Sequence, residues 1–442
     1  MTLITKPRKA CTVNPLKMSQ PIGAALAFLG LDQCLPVLHG SQGCTSFGLV
    51  LFVRHFRESI PMQTTAMNEV TTILGGEESI EQALLTIYEK ARPRIIGLAT
   101  TGLTETKGED IEGVIRLFRG KHPEMNHVAI VPVATPDFSG SLQDGFGKAV
   151  TALVRELAEG ESALLSGRVN VLAGASLTPA DVEEIRELIE AFGLVPTILP
   201  DLSGSLDGHV PDTFSPTTLG GTPLARIRAM GSAEHTIAVG RSMQPAADVL
   251  CQRNGVPYTV FDHLSGLEEV DRLVALLHEI SMEDVPLKVR RQRSRLEDAM
   301  LDGHFHFAGR RIAIGAEADL LAALADLFTG MGATVACAVA PATAPNLETL
   351  PADTVIVGDL EDLEAAARGC DLLVTHSHGR QAAQRLDIPL MRMGIPNFDR
   401  LGAAHQLNVG YRGATRLIFD AANLLLAHRP EPVPGSVPGD DS

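Results

Sequence analysis

Short apolar runs along this chain alternate with longer amphipathic segments. Residues 94–99 and 128–133 have the composition of buried strands, and residues 109–119 between them have helical spacing. A further helix is predicted at 145–159. Strands that alternate with helices indicate parallel sheets joined by helical crossovers. The pattern therefore predicts an α/β fold with mainly parallel sheets.

The same cycle restarts twice. After residue 168 the pattern predicts a strand at 169–172, a helix at 179–192 and a strand at 195–199. After residue 310 it predicts a helix at 317–331 and strands at 311–315, 334–339, 354–357 and 372–374. The stretch 201–222, rich in Ser, Gly, Pro and Thr, is typical of a long loop. A charged stretch at 283–300 is typical of a connecting helix.

These repeats predict three doubly wound, Rossmann-like domains. The expected units are an N-terminal domain at 1–167, a second domain at 168–284, a third domain with a leading helix at 285–428, and a disordered tail at 429–442 rich in Pro, Gly and Asp. Ligands of such sheets bind beyond the carboxyl ends of the strands. The architecture does not identify the ligand.

Composition narrows the class of protein. The 442 residues are 45% hydrophobic and 20% charged, which suits a soluble globular protein. A net charge of −16 argues against general nucleic-acid binding. The first 16 residues lack the apolar segment of a signal peptide, and no apolar run approaches the roughly 18–20 residues that span a bilayer. We therefore expect a cytoplasmic protein with reduced thiols.

The most suggestive cysteine is Cys44, in the string His39-Gly40-Ser41-Gln42-Gly43-Cys44. The glycines would let the backbone approach a bulky ligand closely. An apolar segment at 47–53 predicts a helix, which would put Cys44 near its N-terminus, where the dipole favours the thiolate that binds iron. The alternative is a small residue in a tight turn.

This chain alone is not expected to hold a cubane cluster, which needs about four protein ligands. Cys11, Cys34 and Cys44 are separated by 23 and 10 residues, which matches no ferredoxin pattern, and the chain has no CxxC pair. A cluster shared with another chain at an interface would explain a single well-presented cysteine.

Several strings in the first 145 residues point to a known family. They are Asn14-Pro15-x-Lys17-x-x-Gln20-Pro21-x-Gly23-Ala24, His39-Gly40-Ser41-Gln42-Gly43-Cys44, Arg54-His55-Phe56-Arg57-Glu58, Leu74-Gly75-Gly76 and Thr135-Pro136-x-Phe138-x-Gly140-Ser141. Together they resemble the β-subunit superfamily of nitrogenase component 1. The resemblance is strongest over 11–145, and the repeating α/β pattern extends it to about residue 428.

The resemblance implies a particular ligand set. Three cysteines of the catalytic β-subunit hold the eight-iron P-cluster. This chain has Ser19 at the place of the first, Cys44 at the second, and the string Ala99-Thr100-Thr101-Gly102 at the third. One ligand of three remains, so the resemblance implies a [4Fe-4S] cluster that Cys44 shares with an α-type partner. That arrangement is typical of the cofactor-scaffold branch of the superfamily, as are the strings at 17–21 and 61–67.

The scaffold branch also implies partners. A NifE-like α-type subunit would complete an α2β2 heterotetramer and hold the iron–molybdenum cofactor precursor through its own cysteine. The precursor would come from a NifB-type donor and receive molybdenum and homocitrate with help from the nitrogenase iron protein. Catalytic nitrogenase would accept the product. Cys44 is the one residue assigned to metal or cofactor, no catalytic residue is assigned, and no autonomous enzyme is expected.

Three other functions stay open at this point: a catalytic nitrogenase β-subunit, the β-type subunit of a related reductase of chlorophyll precursors, and a metal-free sugar- or solute-binding protein. Gly75-Gly76 and Gly220-Gly221 lack the Lys-Ser/Thr ending of a phosphate loop. Ser19 could supply an oxygen ligand, although a cap or turn role is the simpler interpretation.

Several remaining side chains have simpler predicted roles. Cys251, Cys337 and Cys370 are expected in the core, whereas the pairs His376/His378 and His304/His306 are expected at a surface or partner contact. Arg54, His55 and Arg57 would either balance negative charge near a cluster or form a solvated helix face.

Overall fold

The structure is a computed structural model that describes residues 4–6, 14–160 and 165–428. Cys11 and the predicted tail at 429–442 lie outside the described residues. The strands are, in chain order, β1 (Ile4–Thr5), β2 (Cys34–His39), β3 (Gln63–Thr64), β4 (Ile95–Thr100), β5 (Ala129–Val133), β6 (Leu165–Ala173), β7 (Val195–Leu199), β8 (Ala233–Val239), β9 (Tyr258–Phe261), β10 (Arg311–Gly315), β11 (Thr334–Ala340), β12 (Val355–Val357), β13 (Leu372–Thr375) and β14 (Leu390–Arg392).

The α-helices connect these strands and cover the sheets. They are α1 (Gln20–Leu29), α2 (Gln42–Phe56), α3 (Glu69–Leu74), α4 (Glu77–Ala91), α5 (Gly102–Lys107), α6 (Ile111–Lys121), α7 (Leu142–Leu157), α8 (Pro179–Glu190), α9 (Leu224–Arg228), α10 (Gln244–Asn254), α11 (Leu267–Ser281), α12 (Leu287–Phe307), α13 (Ala318–Gly330), α14 (Leu360–Ala366), α15 (Arg380–Leu386) and α16 (Gly410–Ala427). None of the described helices combines the length and the apolar character of a membrane-spanning segment.

The strands form three separate sheets, and every pairing between them is parallel. Their strand orders are β3-β2-β4-β5, β7-β6-β8-β9 and β1-β12-β11-β10-β13-β14. In each sheet the strand order reverses direction beside a central strand, as in doubly wound folds. The predicted fold class, α/β with three Rossmann-like units and mainly parallel sheets, is confirmed.

The first sheet is buried on both faces, which explains its apolar strands. All residues of β2 and β4 are buried, and helix α1 is buried along its whole length. Small residues allow this packing: a Cβ on Gly23 would lie 1.9 Å from the Leu142 carbonyl oxygen of α7, and one on Gly97 would lie 2.2 Å from the Phe28 ring. Helix α1 thus fits between the sheet and α7.

Some elements differ from the predicted ones. Strand β1 pairs with β12 of the third sheet, through Ile4 to Val355 and Thr5 to Ile356. The pattern did not indicate β2, although this strand leads directly to the cysteine string. Helix α12 runs to Phe307, beyond the predicted end at residue 300. The stretch 201–222 is largely irregular, as predicted.

Candidate metal-cluster site

Cys44 lies where the structure changes from sheet to helix. Strand β2 ends at His39, and helix α2 begins at Gln42, so Cys44 lies in the first turn of α2. Its side chain is exposed, and the Ser41 hydroxyl oxygen lies 3.6 Å from its sulfur. The sulfur therefore lies at the carboxyl edge of a parallel sheet, and ligands of this fold class bind at that edge.

A buried histidine holds the turn that precedes Cys44. His39 is fully buried; its Nδ1 lies 2.9 Å from the Thr65 hydroxyl oxygen, and its Nε2 lies 2.6 Å from Oε2 of Glu109. The second carboxylate oxygen of Glu109 accepts from the Gly76 amide at 3.0 Å and lies 3.0 Å from Lys107 Nζ. These contacts tie the end of β2 to three later segments of the chain.

Burial decides the charge of this network. Burial lowers the pKa of His39 and outweighs the opposing effect of Glu109, so the imidazole is neutral at pH 7. Burial alone would raise the pKa of Glu109, but its hydrogen bonds with His39 and Lys107 hold that pKa below the usual range. A carboxylate only accepts, so His39 Nε2 donates to Glu109 and Nδ1 accepts from Thr65.

The loop after β4 lies directly beside the turn after β2. The Thr101 hydroxyl donates to the His39 carbonyl oxygen at 2.9 Å. A Cβ on Gly40 would lie 2.6 Å from that hydroxyl oxygen, so glycine is needed for this close approach. A Cβ on Gly102, the next residue, would lie 1.9 Å from Oδ1 of Asp137. A side chain at residue 102 would therefore meet the carboxylate of Asp137.

Ser19 lies at the same edge of the first sheet. It is half-buried and immediately precedes α1, and its hydroxyl makes no capping hydrogen bond. One turn further along each helix, a Cβ on Gly48 of α2 would lie 2.7 Å from Cδ1 of Ile22 of α1. The structure thus brings Ser19, Cys44 and Gly102 to one edge, with a single thiol among them.

The other described cysteines do not belong to this site. Cys34 is buried at the opposite end of β2, about 17 Å along the strand from its last residue, and burial raises its pKa. Cys337 and Cys370 are buried, as predicted, and burial raises the pKa of Cys337 to about 12. The prediction that Cys251 lies in the core is wrong, because it is half-buried beside the buried face of α10.

The described part of the chain offers no complete metal site of its own. It contains no group of three or more His, Cys, Asp or Glu side chains arranged to hold a metal ion. Cys44 is the one exposed thiol among the described cysteines. Within the described ranges, the site therefore supplies one sulfur of a cluster but not a full ligand shell.

Exposed apolar side chains extend from the site along α2. Phe47 is 64% exposed and Val50 is 57% exposed, and Val53 is exposed one turn further on. Helix α3, which exposes Val70 and Ile73, follows a segment that is hydrogen-bonded to the turn before Cys44. Contiguous exposed apolar side chains mark protein interfaces. We call Phe47, Val50 and Val53 the α2 face.

Two predictions for histidines need correction. His55 is buried, and its Nδ1 accepts from the Asn397 amide at 2.9 Å, so it is not part of a solvated helix face, although Arg54 and Arg57 are exposed. Burial lowers the pKa of His55 to about 4. His376 is also buried, so the prediction that it lies on a contact surface is wrong; His378 beside it is exposed.

A further pair of predicted surface histidines lies on α12. His304 is exposed and His306 is half-buried.

Sequence reasoning missed the support that Glu109 and Thr65 give to His39, because nothing in the sequence links residues that far apart. It also missed the α2 face, although apolar residues at spacings of three along a short helix could have indicated it.

Comparison with known proteins identifies relatives over nearly the whole chain. The family described as nitrogenase component 1 type oxidoreductase matches residues 19–426. The chain is 55% identical to a protein of Bradyrhizobium diazoefficiens, covering 98% of this chain and 93% of the relative, and 41% identical to one of Klebsiella pneumoniae, covering 98% and 96%. Both relatives are named nitrogenase iron-molybdenum cofactor biosynthesis protein NifN.

Solved structures agree with this relationship. A chain of nitrogenase Cp1 at pH 6.5 superimposes with a TM-score of 0.90 at 30% sequence identity, covering 95% of this chain and 94% of that chain. A chain of nitrogenase Cp1 at pH 5 matches with a TM-score of 0.71 at 13% identity, which is evidence for the fold alone.

Proposed function

The chain belongs to the nitrogenase component 1 type oxidoreductase family, within its NifN group, and we propose that it is the β-type subunit of a NifEN-like scaffold. Membership of the group gives it a role in biosynthesis of the nitrogenase iron–molybdenum cofactor. The finer proposal is that Cys44 binds a [4Fe-4S] cluster at the interface with the α-type subunit. The observation that carries it is the exposed sulfur of Cys44, beside an exposed apolar surface.

The residues at the site fit one quarter of a cubane shell. A [4Fe-4S] cluster takes about four cysteine ligands. Cys44 offers one exposed sulfur in a turn that His39 and Glu109 hold in place. Three further thiolates would then come from the α-type subunit. Such a cluster, when bound, would supply electron-transfer chemistry at the subunit interface.

A catalytic nitrogenase β-subunit is the main alternative. Ser19 and Gly102 have no thiol, and the carboxylate of Asp137 fills the space beside Gly102. Both observations favour a four-iron cluster over the eight-iron P-cluster. Counting iron in the purified complex separates the two proposals, because they require about four and about eight irons per αβ pair at this position.

A scaffold has to hold its cargo firmly enough for modification and still release it. We propose an α2β2 heterotetramer in which the NifE-like subunit carries the direct cysteine ligand of the precursor. A NifB-type protein would deliver the precursor, molybdenum and homocitrate would enter with help from the nitrogenase iron protein, and catalytic nitrogenase would receive the product. The α2 face would be part of the surface that meets the NifE-like subunit.

The test is a cysteine replacement in the complex purified without oxygen. Cys44→Ala should lower bound iron by about four atoms per αβ pair and remove the paramagnetic signal of the reduced cubane, while the chain still co-purifies with the α-type subunit. Cys251→Ala, a half-buried cysteine on α10, is the matched control and should leave both readouts unchanged. Unchanged iron content and signal in Cys44→Ala would refute the assignment.

A further inference from the structure

Three arginines surround a single phenylalanine at the far end of α2. The guanidinium carbon of Arg54 lies 4.2 Å from the centre of the Phe398 ring, and that of Arg380 lies 5.2 Å from it. Arg57, which follows the last residue of α2, donates from Nη2 to the Phe398 carbonyl oxygen at 3.0 Å. All three side chains are exposed. We call Arg54, Arg57 and Arg380 the arginine cluster.

No carboxylate of the described residues forms an ion pair with this cluster. Asp399 follows Phe398 but is bound by two guanidinium nitrogens of Arg392, at 2.9 and 2.8 Å, and by the Ser377 hydroxyl. Those hydrogen bonds lower the pKa of Asp399 to about 2, and the hydrogen bonds from Arg392 have the largest effect. Glu58 instead accepts the Gly208 amide at 2.8 Å, and burial raises its pKa.

The cluster holds the positive charges of Arg54 and Arg380 against one ring, although the chain carries a net charge of −16. The ring of His378 meets the Phe398 ring edge-on at 5.1 Å. Burial lowers the pKa of His378, and the charges of Arg380 and Arg54 lower it further, against a smaller opposing effect of Asp399. Like charges held close together repel each other, and a bound anion would relieve that repulsion.

The cluster continues the surface that leads away from Cys44. Phe47, Val50 and Arg54 follow one another at spacings of three and four residues, which places them on one side of α2, and Arg57 follows directly after the end of the helix. Ten residues separate Cys44 from Arg54, or about 15 Å of helix. A standard interface covers about 800 Å² of each partner and is roughly 28 Å across, so one partner can cover both Cys44 and Arg54.

We propose that the arginine cluster binds carboxylate side chains of the α-type subunit, at the rim of the interface that covers Cys44. This proposal rests on the proposed function, because it requires that partner. Guanidinium groups bind carboxylates through paired hydrogen bonds of fixed geometry, and the Phe398 ring holds Arg54 and Arg380 in place before the partner arrives. Charges at an interface rim speed association and set the register of the two surfaces.

The experiment measures association of the full chain with purified α-type subunit over a range of salt concentrations. Arg54→Glu and Arg380→Glu should each slow association about tenfold at low salt, and together by about 10². The differences should shrink at high salt, because ions screen the charges. The matched control is Arg92→Glu: Arg92 is exposed, forms no ion pair among the described residues and stacks on Tyr88 at 4.3 Å. It should associate at the wild-type rate.

Several outcomes would overturn the proposal. The proposal is refuted if the arginine-cluster variants associate at the same rate, and with the same salt dependence, as the Arg92 variant. So would unchanged association together with loss of citrate binding by the isolated chain, since that result assigns the cluster to a small anion. If the wild-type chain does not pair with the α-type subunit, the proposed function fails as well. If the wild-type chain pairs with the α-type subunit and holds iron, and the arginine-cluster variants also pair normally, only the proposed role of the arginine cluster fails.

Discussion

The hydrogen bond between His39 and Glu109 should contribute measurably to the stability of the turn that presents Cys44. The His39 ring is fully buried, and its Nε2 lies 2.6 Å from the carboxylate oxygen. Hydrogen bonds to charged groups contribute about 1.5–3 kcal/mol, and a buried partner left unpaired costs more. His39→Gln should therefore lower the free energy of unfolding by about 2–3 kcal/mol. Glu109 keeps its contacts with Lys107 and Gly76, which limits the loss.

A double-mutant cycle isolates this interaction. His39→Gln, Glu109→Gln and the double variant are compared by urea unfolding at pH 7, and the coupling energy should be about 1.5–3 kcal/mol. The folded-state pKa of His39 is lowered, so the unfolded chain takes up a proton first, and stability conferred by His39 falls as the pH drops below its ordinary value of 6.5. His39→Gln should remove that slope. A coupling energy within about 0.5 kcal/mol of zero would refute the proposed role, because independent sites add within that error.

Further predictions concern packing, titration and the interface. Burial, aided by the charge of Asp262, raises the pKa of Asp319 from 3.8 to about 6. The stability that protonated Asp319 confers is therefore present at low pH and is lost as the pH rises through 6. In wild type this loss should amount to about 3 kcal/mol of unfolding free energy, and Asp319→Asn should abolish it. Gly97→Ala should lower the free energy of unfolding by about 1–3 kcal/mol, measured by thermal unfolding, because the Cβ of the new alanine would meet the Phe28 ring. Phe47→Asp should leave the melting temperature unchanged, since the side chain is 64% exposed, but should weaken co-purification with the α-type subunit. A strongly destabilised Phe47→Asp, an unaffected Gly97→Ala or an unchanged pH slope in Asp319→Asn would contradict the corresponding argument.

Much of the fold could be predicted because its buried strands are local apolar runs. Strand β7 has the bounds that the pattern predicted, and β10 agrees as closely. The placement of Cys44 in the first turn of a helix could also be predicted, because the glycines and the following apolar segment are neighbours in the sequence. In these cases the signal lies within about ten residues.

The rest of the fold and site depends on contacts between distant residues. Strand β1 has two residues and is defined only by pairing with β12, roughly 350 positions later. The string Arg54-His55-Phe56-Arg57 has the composition of a charged helix end, yet His55 is buried and its Nδ1 accepts from the amide of the distant residue Asn397. Neither packing partner is visible from local hydrophobic pattern, so burial of this kind could not be predicted.

An anaerobic structure of the chain assembled with its α-type subunit would test the role of Cys44 directly. We expect the sulfur of Cys44 to be bonded to one iron of a four-iron cluster, with three cysteine sulfurs of the partner on the other irons. A complex in which that sulfur is bonded to no iron, or in which the cluster has eight irons held by additional ligands from this chain, would contradict that expectation.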